Sequence, residues 1–323
     1  MGILPKKLWL RVLLGIGGVF IMLVVILAIA VTLRWNRTFD YPVQDVTVSM
    51  DPANIAWGEY LYKSVSVCGA CHSLGGEENP DLLPAGGRKF DIPELGVIYT
   101  PNITPAMETG IGGWTDGEVI RAIREGIGKN GRFLVLMPSE LFVSISDEDV
   151  QAIVAYLKSQ EPMENATPKF KPSLMGRVLL AFLIKPPDPI TEPVTAPPRG
   201  PTAEYGHYLA NYVSPCAACH TPMVRGAIDY DRLWSGGAPF DVGENTIYSS
   251  NLTMDQETGI GSWTEEDFFH AMRAGVNPQG KPLLLPMPWP QVNNMTDDDT
   301  RAIWLHIQDV PPITNEVPEN IIK

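Results

Sequence analysis

The chain is short of positive charge, of strand-like alternation and of cysteine, and each shortage excludes something. Its 24 basic residues stand against 37 acidic ones, for a net charge of −13. That is the wrong sign for nucleic acid, whose phosphates demand a Lys/Arg surface. Few segments alternate apolar and polar residues as half-buried strands do, which points to a mainly α class. No glycine-rich nucleotide motif stands at a strand-to-helix turn; Gly110-x-Gly112 and Gly259-x-Gly261 fall in long connections before a Trp and suit turns. Only four cysteines occur, and their positions leave none over for a disulfide. Acidic residues are themselves missing from the first 37 positions, which hold Lys6, Lys7, Arg11, Arg34 and Arg37, so the remainder stands at −18. Such acidity suits docking on a partner with a basic surface, an attraction that salt weakens.

The same amino-terminal region contains 22 residues, Val12 to Leu33, without charge or proline. At about 1.5 Å per residue, a helix of that length crosses a hydrocarbon core of roughly 30 Å. The rival is a cleaved signal peptide with Ala28-Ile29-Ala30 as its small-residue site, but signal cores run about 7–15 residues. Lys6, Lys7 and Arg11 before the span, against Arg34 and Arg37 after it, favour a cytoplasmic N-terminus. The expected topology is therefore a single pass through a bacterial cell membrane, with the bulk of the chain periplasmic.

The chain is built twice. Cys68-Gly-Ala-Cys71-His72 recurs 148 residues later as Cys216-Ala-Ala-Cys219-His220. Ala56-Trp57-Gly58-Glu59-Tyr60-Leu61 answers Glu204-Tyr205-Gly206-His207-Tyr208-Leu209, and Glu108-Thr-Gly-Ile-Gly-Gly-Trp114-Thr115 answers Glu257-Thr-Gly-Ile-Gly-Ser-Trp263-Thr264. Self-similarity on this scale marks a duplicated domain. Thr115 with Glu118, and Thr264 with Asp267, predict helix N-caps. Gly126 and Gly275 sit where those helices should end. The closing helices open at Ser146 and Thr296, the first with Val150, Ile153, Val154 and Leu157 on one face and the second with Ile303, Trp304 and Ile307. The resulting plan is a cytoplasmic segment 1–11, an anchor 12–33, a linker 34–51, a first domain 52–165, an inter-domain segment 166–201 and a second domain 202–323. Within 166–201, Ser173 to Ile184 is apolar around Arg177 and too short to span a bilayer, so an inter-domain or interfacial amphipathic helix is expected before a proline-rich linker.

Cys-x-x-Cys-His is the attachment signature of c-type haem. Residues three and four apart share a helix face, so Cys68 and Cys71, or Cys216 and Cys219, can bond the porphyrin edge while His72 or His220 reaches the iron. The alternatives are a redox dithiol, which needs neither the adjacent His nor a twin, and half a zinc site, which needs four ligands. Two covalently bound haems are expected. For the opposite face of each iron, Met137 and Met287 stand out: each precedes a proline and lies nine residues before the cap of its closing helix, Ser146 or Thr296. A His/Met pair fills both axial positions and raises the reduction potential. Met107 and Met254 are the weaker candidates. Trp114 and Trp263 are candidates for a haem edge, and Tyr99, Tyr248, Asn102 and Asn251 for propionate donors, with a core Trp and turn-stabilising Asn residues as the plainer readings. Arg124 and Arg273 are placed either toward propionates or on the surface. His207, His270 and His306 replace Glu59, Arg121 and Tyr156 of the first copy and read as surface or packing residues.

With these motifs laid out, the chain resembles the class I cytochrome c fold in tandem over roughly 52–160 and 202–310, and within it the cytochrome c subunits of membrane-bound gluconate, sorbose and alcohol dehydrogenases. The resemblance rests on Cys-x-x-Cys-His, the Gly-Gly-x-x-Phe patches at Gly86 and Gly236, the Asn-x-Thr…Thr-Gly-Ile-Gly-x-Trp-Thr runs and the Met-Pro pairs. It implies a mainly α pair of haem domains and electron transfer between redox proteins, without a small-molecule substrate or an enzymatic activity of the chain's own. Those subunits usually carry three haem domains and an anchor near the C-terminus, whereas here two motifs follow an N-terminal span; a quinol-oxidising complex, a terminal oxidase or a photosynthetic reaction centre is an equally open partner. The enzymatic alternative is a dihaem cytochrome c peroxidase, which requires one iron with an open distal position.

Overall fold

The structure, a computed structural model, describes residues 6–76, 79, 83–224 and 227–323. Residues 1–5, within the segment expected to be cytoplasmic, and the side chains of Lys6 and Lys7 on which the orientation rests lie outside the described residues. Helix α1 (Lys6–Arg34) runs for 29 residues, about 44 Å at 1.5 Å per residue. Its most apolar window is not buried against the rest of the protein, whereas Val31, near its end, is.

The first half then folds as α2 (Pro52–Tyr60), which passes directly into a π-helical turn (Leu61–Val65), α3 (Gly69–His72), a hairpin β1 (Lys89–Ile92) and β2 (Gly96–Tyr99), α4 (Asp116–Arg124), α5 (Ser139–Phe142) and α6 (Asp147–Ser159). A two-residue strand β3 (Lys171–Pro172) pairs with β2 and leads into α7 (Leu174–Phe182). The second half repeats the order: α8 (Ala203–Tyr208), a π-helical turn (Leu209–Val213), α9 (Cys216–Cys219), a small hairpin β4 (Met223–Val224) and β5 (Ala227–Ile228), then β6 (Pro239–Val242), β7 (Asn245–Tyr248), α10 (Glu265–Ala274), α11 (Trp289–Val292) and α12 (Asp297–Gln308). The class is mainly α, as the weak alternation implied. The hairpins β1–β2 and β6–β7, registered Phe90 to Ile98 and Phe240 to Ile247, are too short for a period of two to register in sequence.

The predicted caps form. Thr115 accepts from the Glu118 amide at 3.2 Å while Glu118 accepts from the Thr115 amide at 2.8 Å, and Thr264 with Asp267 repeats the box. Ser146 and Thr296 cap α6 and α12 by accepting from the amides of Asp149 and Asp299. Val150, Ile153, Val154 and Leu157 on α6, and Ile303, Trp304 and Ile307 on α12, are all buried.

In each half the first and last helices cross at a glycine. A Cβ on Gly58 would lie 1.9 Å from the Ala152 carbonyl oxygen, and one on Gly206 would lie 1.8 Å from that of Ala302. The helices therefore meet backbone to backbone, with Leu61, Val65 and Ile153 in one half and Leu209, Val213 and Ile303 in the other sealing the core around the crossing.

The halves are joined by a reciprocal contact. The Tyr208 hydroxyl, from α8, donates to Asp149 at 2.6 Å and accepts from the Ser146 amide at 3.0 Å, at the head of α6. The equivalent Tyr60 hydroxyl, from α2, donates to Asp299 and accepts from the Thr296 amide at 3.0 Å, at the head of α12. Burial, followed by the adjacent carboxylate, holds both phenols above their ordinary pKa, so each stays a donor. The two π-helical turns touch, and each packs on the short helix after the other half's Met-Pro pair: the first on α11, the second on α5.

Beside this seam, His207 and His306 stand edge to face with centroids 4.8 Å apart, and the Asn211 amide lies 3.1 Å from His207 Nδ1 and 3.0 Å from His306 Nε2. This is a packing pair, as the absence of counterparts in the first half implied, and His270 is exposed. Burial first, then the neighbouring His207, pushes the pKa of His306 down to about 4.

Two tests follow from this packing. Gly58→Ala or Gly206→Ala forces backbone apart at the crossing and is expected to cost about 1–3 kcal/mol or more in denaturant unfolding. Gly113→Ala, with no contact closer than 4.0 Å, should stay within about 0.5 kcal/mol; equal effects at both sites would refute the crossing. For His306 the folded state binds its proton less well than the unfolded chain, so stability present above about pH 6.5 is lost as pH falls toward about 4. Allowing for its partial exposure, the loss is about 1–2 kcal/mol. His306→Tyr, which installs the first half's residue, should flatten that acid slope when unfolding is compared across this window.

Candidate functional site

Each Cys-x-x-Cys-His motif starts just after a π-helical turn and occupies one turn of helix. The His72 amide donates to the Cys68 carbonyl at 3.0 Å and the His220 amide to that of Cys216 at 2.9 Å. Both sulfurs and the imidazole therefore leave the same short element. Each ring is fixed by a carbonyl that can only accept: His72 Nδ1 donates to Pro101 O at 3.2 Å and His220 Nδ1 to Ser250 O at 2.8 Å. That bond assigns the proton to Nδ1 and leaves the Nε2 lone pair free, the usual arrangement behind a metal-binding histidine. Burial, partly offset by the same bonds, holds both imidazoles below their ordinary pKa.

A second set of contacts fixes the backbone of these histidines, and the sequence did not expose it. Gly86 donates its amide to the His72 carbonyl at 2.7 Å, and Gly236 to that of His220 at 2.8 Å. Both glycines have φ of +69°, and a Cβ there would lie 2.4 Å from Pro101 O or from the Asn251 amide nitrogen. Only glycine fits. The repeated Gly-Gly patches carried that signal, although what they touch was not readable.

The first motif opens on a cavity of about 2220 Å³ whose walls include Cys68, Cys71, His72, Tyr99, Asn102, Trp114 and Met137. Drug-sized pockets run about 300–1,000 Å³, so this space accepts something considerably larger. Its remaining walls are mostly apolar, among them Phe90, Ile98, Ile123, Phe133 and Leu157. The same cavity continues to the second half at Cys219, Met223, Phe240, Pro286 and Pro288, so Cys219 and both neighbours of Met287 border it. Cys216, His220, Met287, Tyr248, Asn251 and Trp263 are not among its lining residues, and they hold the corresponding positions of the second half. Met137 and Met287 each close a tight turn, their amides donating to Leu134 O at 2.8 Å and Leu284 O at 3.0 Å. Both are partly buried against the core. Met107 is 69% exposed and is not among the residues that line the cavity.

The thiols argue against dithiol chemistry. Burial, with the Cys71 charge second, pushes the Cys68 pKa up to about 12; burial and Cys216 push Cys219 up to about 11, and burial also raises Cys216. Reactive dithiols require the opposite shift. Among the described residues, no group of three or more His, Cys, Asp or Glu is arranged to hold a metal ion. None of the four cysteines is in a disulfide. A flat apolar macrocycle joined through two sulfurs, with an imidazole and a thioether for its iron, fits what these residues offer.

The polar candidates divide differently. Asn102 uses both amide hydrogens, on Thr109 Oγ1 at 3.1 Å and Met163 O at 2.7 Å, and its oxygen accepts from the Thr104 amide and hydroxyl. Asn251 does the same with Thr258, Ile313 and Thr253. No donor is left for a propionate; these residues hold the loop that presents Pro101 O and Ser250 O to the histidines. Arg124 is neither a surface residue nor a propionate ligand. It is 1% exposed, donates to Ile145 O and faces Asp147 at 2.6 Å, an ion pair outside hydrogen-bond alignment. Arg273 likewise ties Asn293 O, Asp297 and Thr300. Arg88, opposite Ala238 in the second half, does line the cavity, with Nη1 donating to Ala70 O at 2.6 Å.

The known proteins that this chain resembles are cytochromes c. The family described as cytochrome c oxidase, cbb3-type, subunit III matches residues 53–157. The gluconate 2-dehydrogenase cytochrome c subunit of Pantoea cypripedii is 31% identical over 266 residues, covering 76% of this chain and 57% of that one. The alcohol dehydrogenase (quinone) cytochrome c subunit of Gluconobacter oxydans is 31% identical over 278 residues, 81% of this chain and 56% of that one. A diheme cytochrome c-type protein of Cereibacter sphaeroides is 26% identical over 256 residues, 76% and 82% of the two chains. The chain spans little more than half the length of the two dehydrogenase subunits. Residues 53–157 thus match a cytochrome c family model, and most of the chain's length is similar to the cytochrome c subunits of dehydrogenases.

Proposed function

We propose that this chain is a membrane-anchored dihaem cytochrome c that passes electrons between redox proteins. Two tandem haem domains, 52–165 and 202–323, would hold haem through Cys68 and Cys71 and through Cys216 and Cys219. His72 with Met137, and His220 with Met287, would ligate the two irons. Haem held by such a His/Met pair would supply one-electron exchange. The chain's own residues keep each imidazole's Nδ1 protonated on a carbonyl, close the opposite face with a thioether and wall the space with apolar side chains. The observation that carries the reading is the repeated histidine clamp, in which Pro101 O and Ser250 O accept a hydrogen bond from the protonated Nδ1 and Gly86 and Gly236 pin the backbone. The relatives named as dehydrogenase cytochrome c subunits support a place in such a complex. The anchor is α1, with the N-terminus cytoplasmic and the haem domains periplasmic at a bacterial cell membrane. The net charge of −13 favours a partner with a basic docking surface.

Intact-mass measurement of the mature protein is expected to show two haem additions per chain; one or none would sink the proposal. Met137→Ala is expected to keep its haem attached, lower that centre's reduction potential and open its iron to carbon monoxide in the reduced state. An unchanged spectrum and potential would assign the sixth ligand elsewhere.

A further inference from the structure

Electron transfer leaves the apolar segment between the two halves without a role. Helix α7 is capped by Ser173, whose hydroxyl accepts from the Gly176 amide at 2.8 Å and donates to Glu94 O at 2.8 Å. Its inward face, Gly176, Leu180 and Ala181, is buried. Its other face is not: Leu174 is 79% exposed and Leu183, just beyond its end, 72%. The far end of α7 packs on the last turn of α1. There Arg34 Nε donates to Ala181 O at 3.3 Å, the Arg34 guanidinium lies over Phe182, and that of Arg177 lies over Trp35.

We propose that α7 lies flat in the outer membrane interface, as a second contact with an anionic phospholipid surface beside the anchor. The inference rests on the reading of α1 as a retained span. The end of a spanning helix sits at headgroup depth, and α7 is fastened to that end with an apolar face left uncovered. Trp and Arg at the junction are the residues that favour this depth. The charge agrees. Between Glu164 and Asp188 there are four basic residues, Lys169, Lys171, Arg177 and Lys185, and no acid, in a chain of net charge −13. An apolar helix flanked by bases is what anionic headgroups retain. Leu183 and Met175 also border the cavity; Leu174 and Phe182 do not, and they make the diagnosis.

The test uses the full-length holoprotein in nanodiscs of phosphatidylethanolamine and phosphatidylglycerol containing a phospholipid with a photoreactive group high on its acyl chain. Labelled peptides are identified by mass spectrometry. Labelling of both α1 and residues 174–183 is expected, and Leu174→Glu should lower the second several-fold with α1 unchanged. Labelled α1 with an unlabelled 174–183 would overturn the lipid contact while the anchor stands, as would labelling of 174–183 indifferent to Leu174→Glu. Absence of label from both would remove the anchor reading itself.

Discussion

Everything around the two motifs depends on a pair of backbone contacts, Gly58 on Ala152 and Gly206 on Ala302. Helices that touch without intervening side chains can be placed to within a fraction of an ångström, because close-packed backbone has almost no room to adjust. The π-helical turn follows immediately on each crossing helix and feeds the cysteine-bearing turn. Its position, and so that of the two sulfurs, follows from the crossing, and the loop glycines Gly86 and Gly236 then pin the histidine backbone. The long connections can then vary between halves, with two extra residues between His220 and Gly236 relative to the first copy, without moving the ligands.

The loops instead set the electronics of the histidines. Asn102 gathers Thr104, Thr109 and Met163, and Asn251 gathers Thr253, Thr258 and Ile313, so that one carbonyl in each half meets an imidazole Nδ1. A ligand held this way keeps its tautomer and its orientation together. Asn102 and Asn251 would thus act on a bound haem through its histidine.

Much of this was open to reading beforehand, for a definite reason. Covalent attachment demands Cys-x-x-Cys-His, caps demand Thr or Ser three residues before an acid, and duplication prints each pattern twice. What could not be read depended on residues far apart in the chain. Asn102 bonds a carbonyl 61 positions away, so its sequence context could not choose between turn and propionate. Arg124 looked like a surface or propionate residue because nothing local announces that Ile145 and Asp147 will close over it. Tyr60 and Tyr208 were seen only as repeated letters; one meets its partner 239 residues away, the other 59.

Those tyrosines give the chain a property of closed symmetry. Each half offers the other the same surface, a tyrosine from its first helix and the head of its last, so the contact has the form of an isologous dimer interface joined into one polypeptide. Such a contact is complete at two. A head-to-tail array would leave an unused tyrosine at one end and an uncapped helix at the other, ready to accept another unit. Here both tyrosines and both helix heads are taken, and any further unit or partner has to find different ground on which to dock.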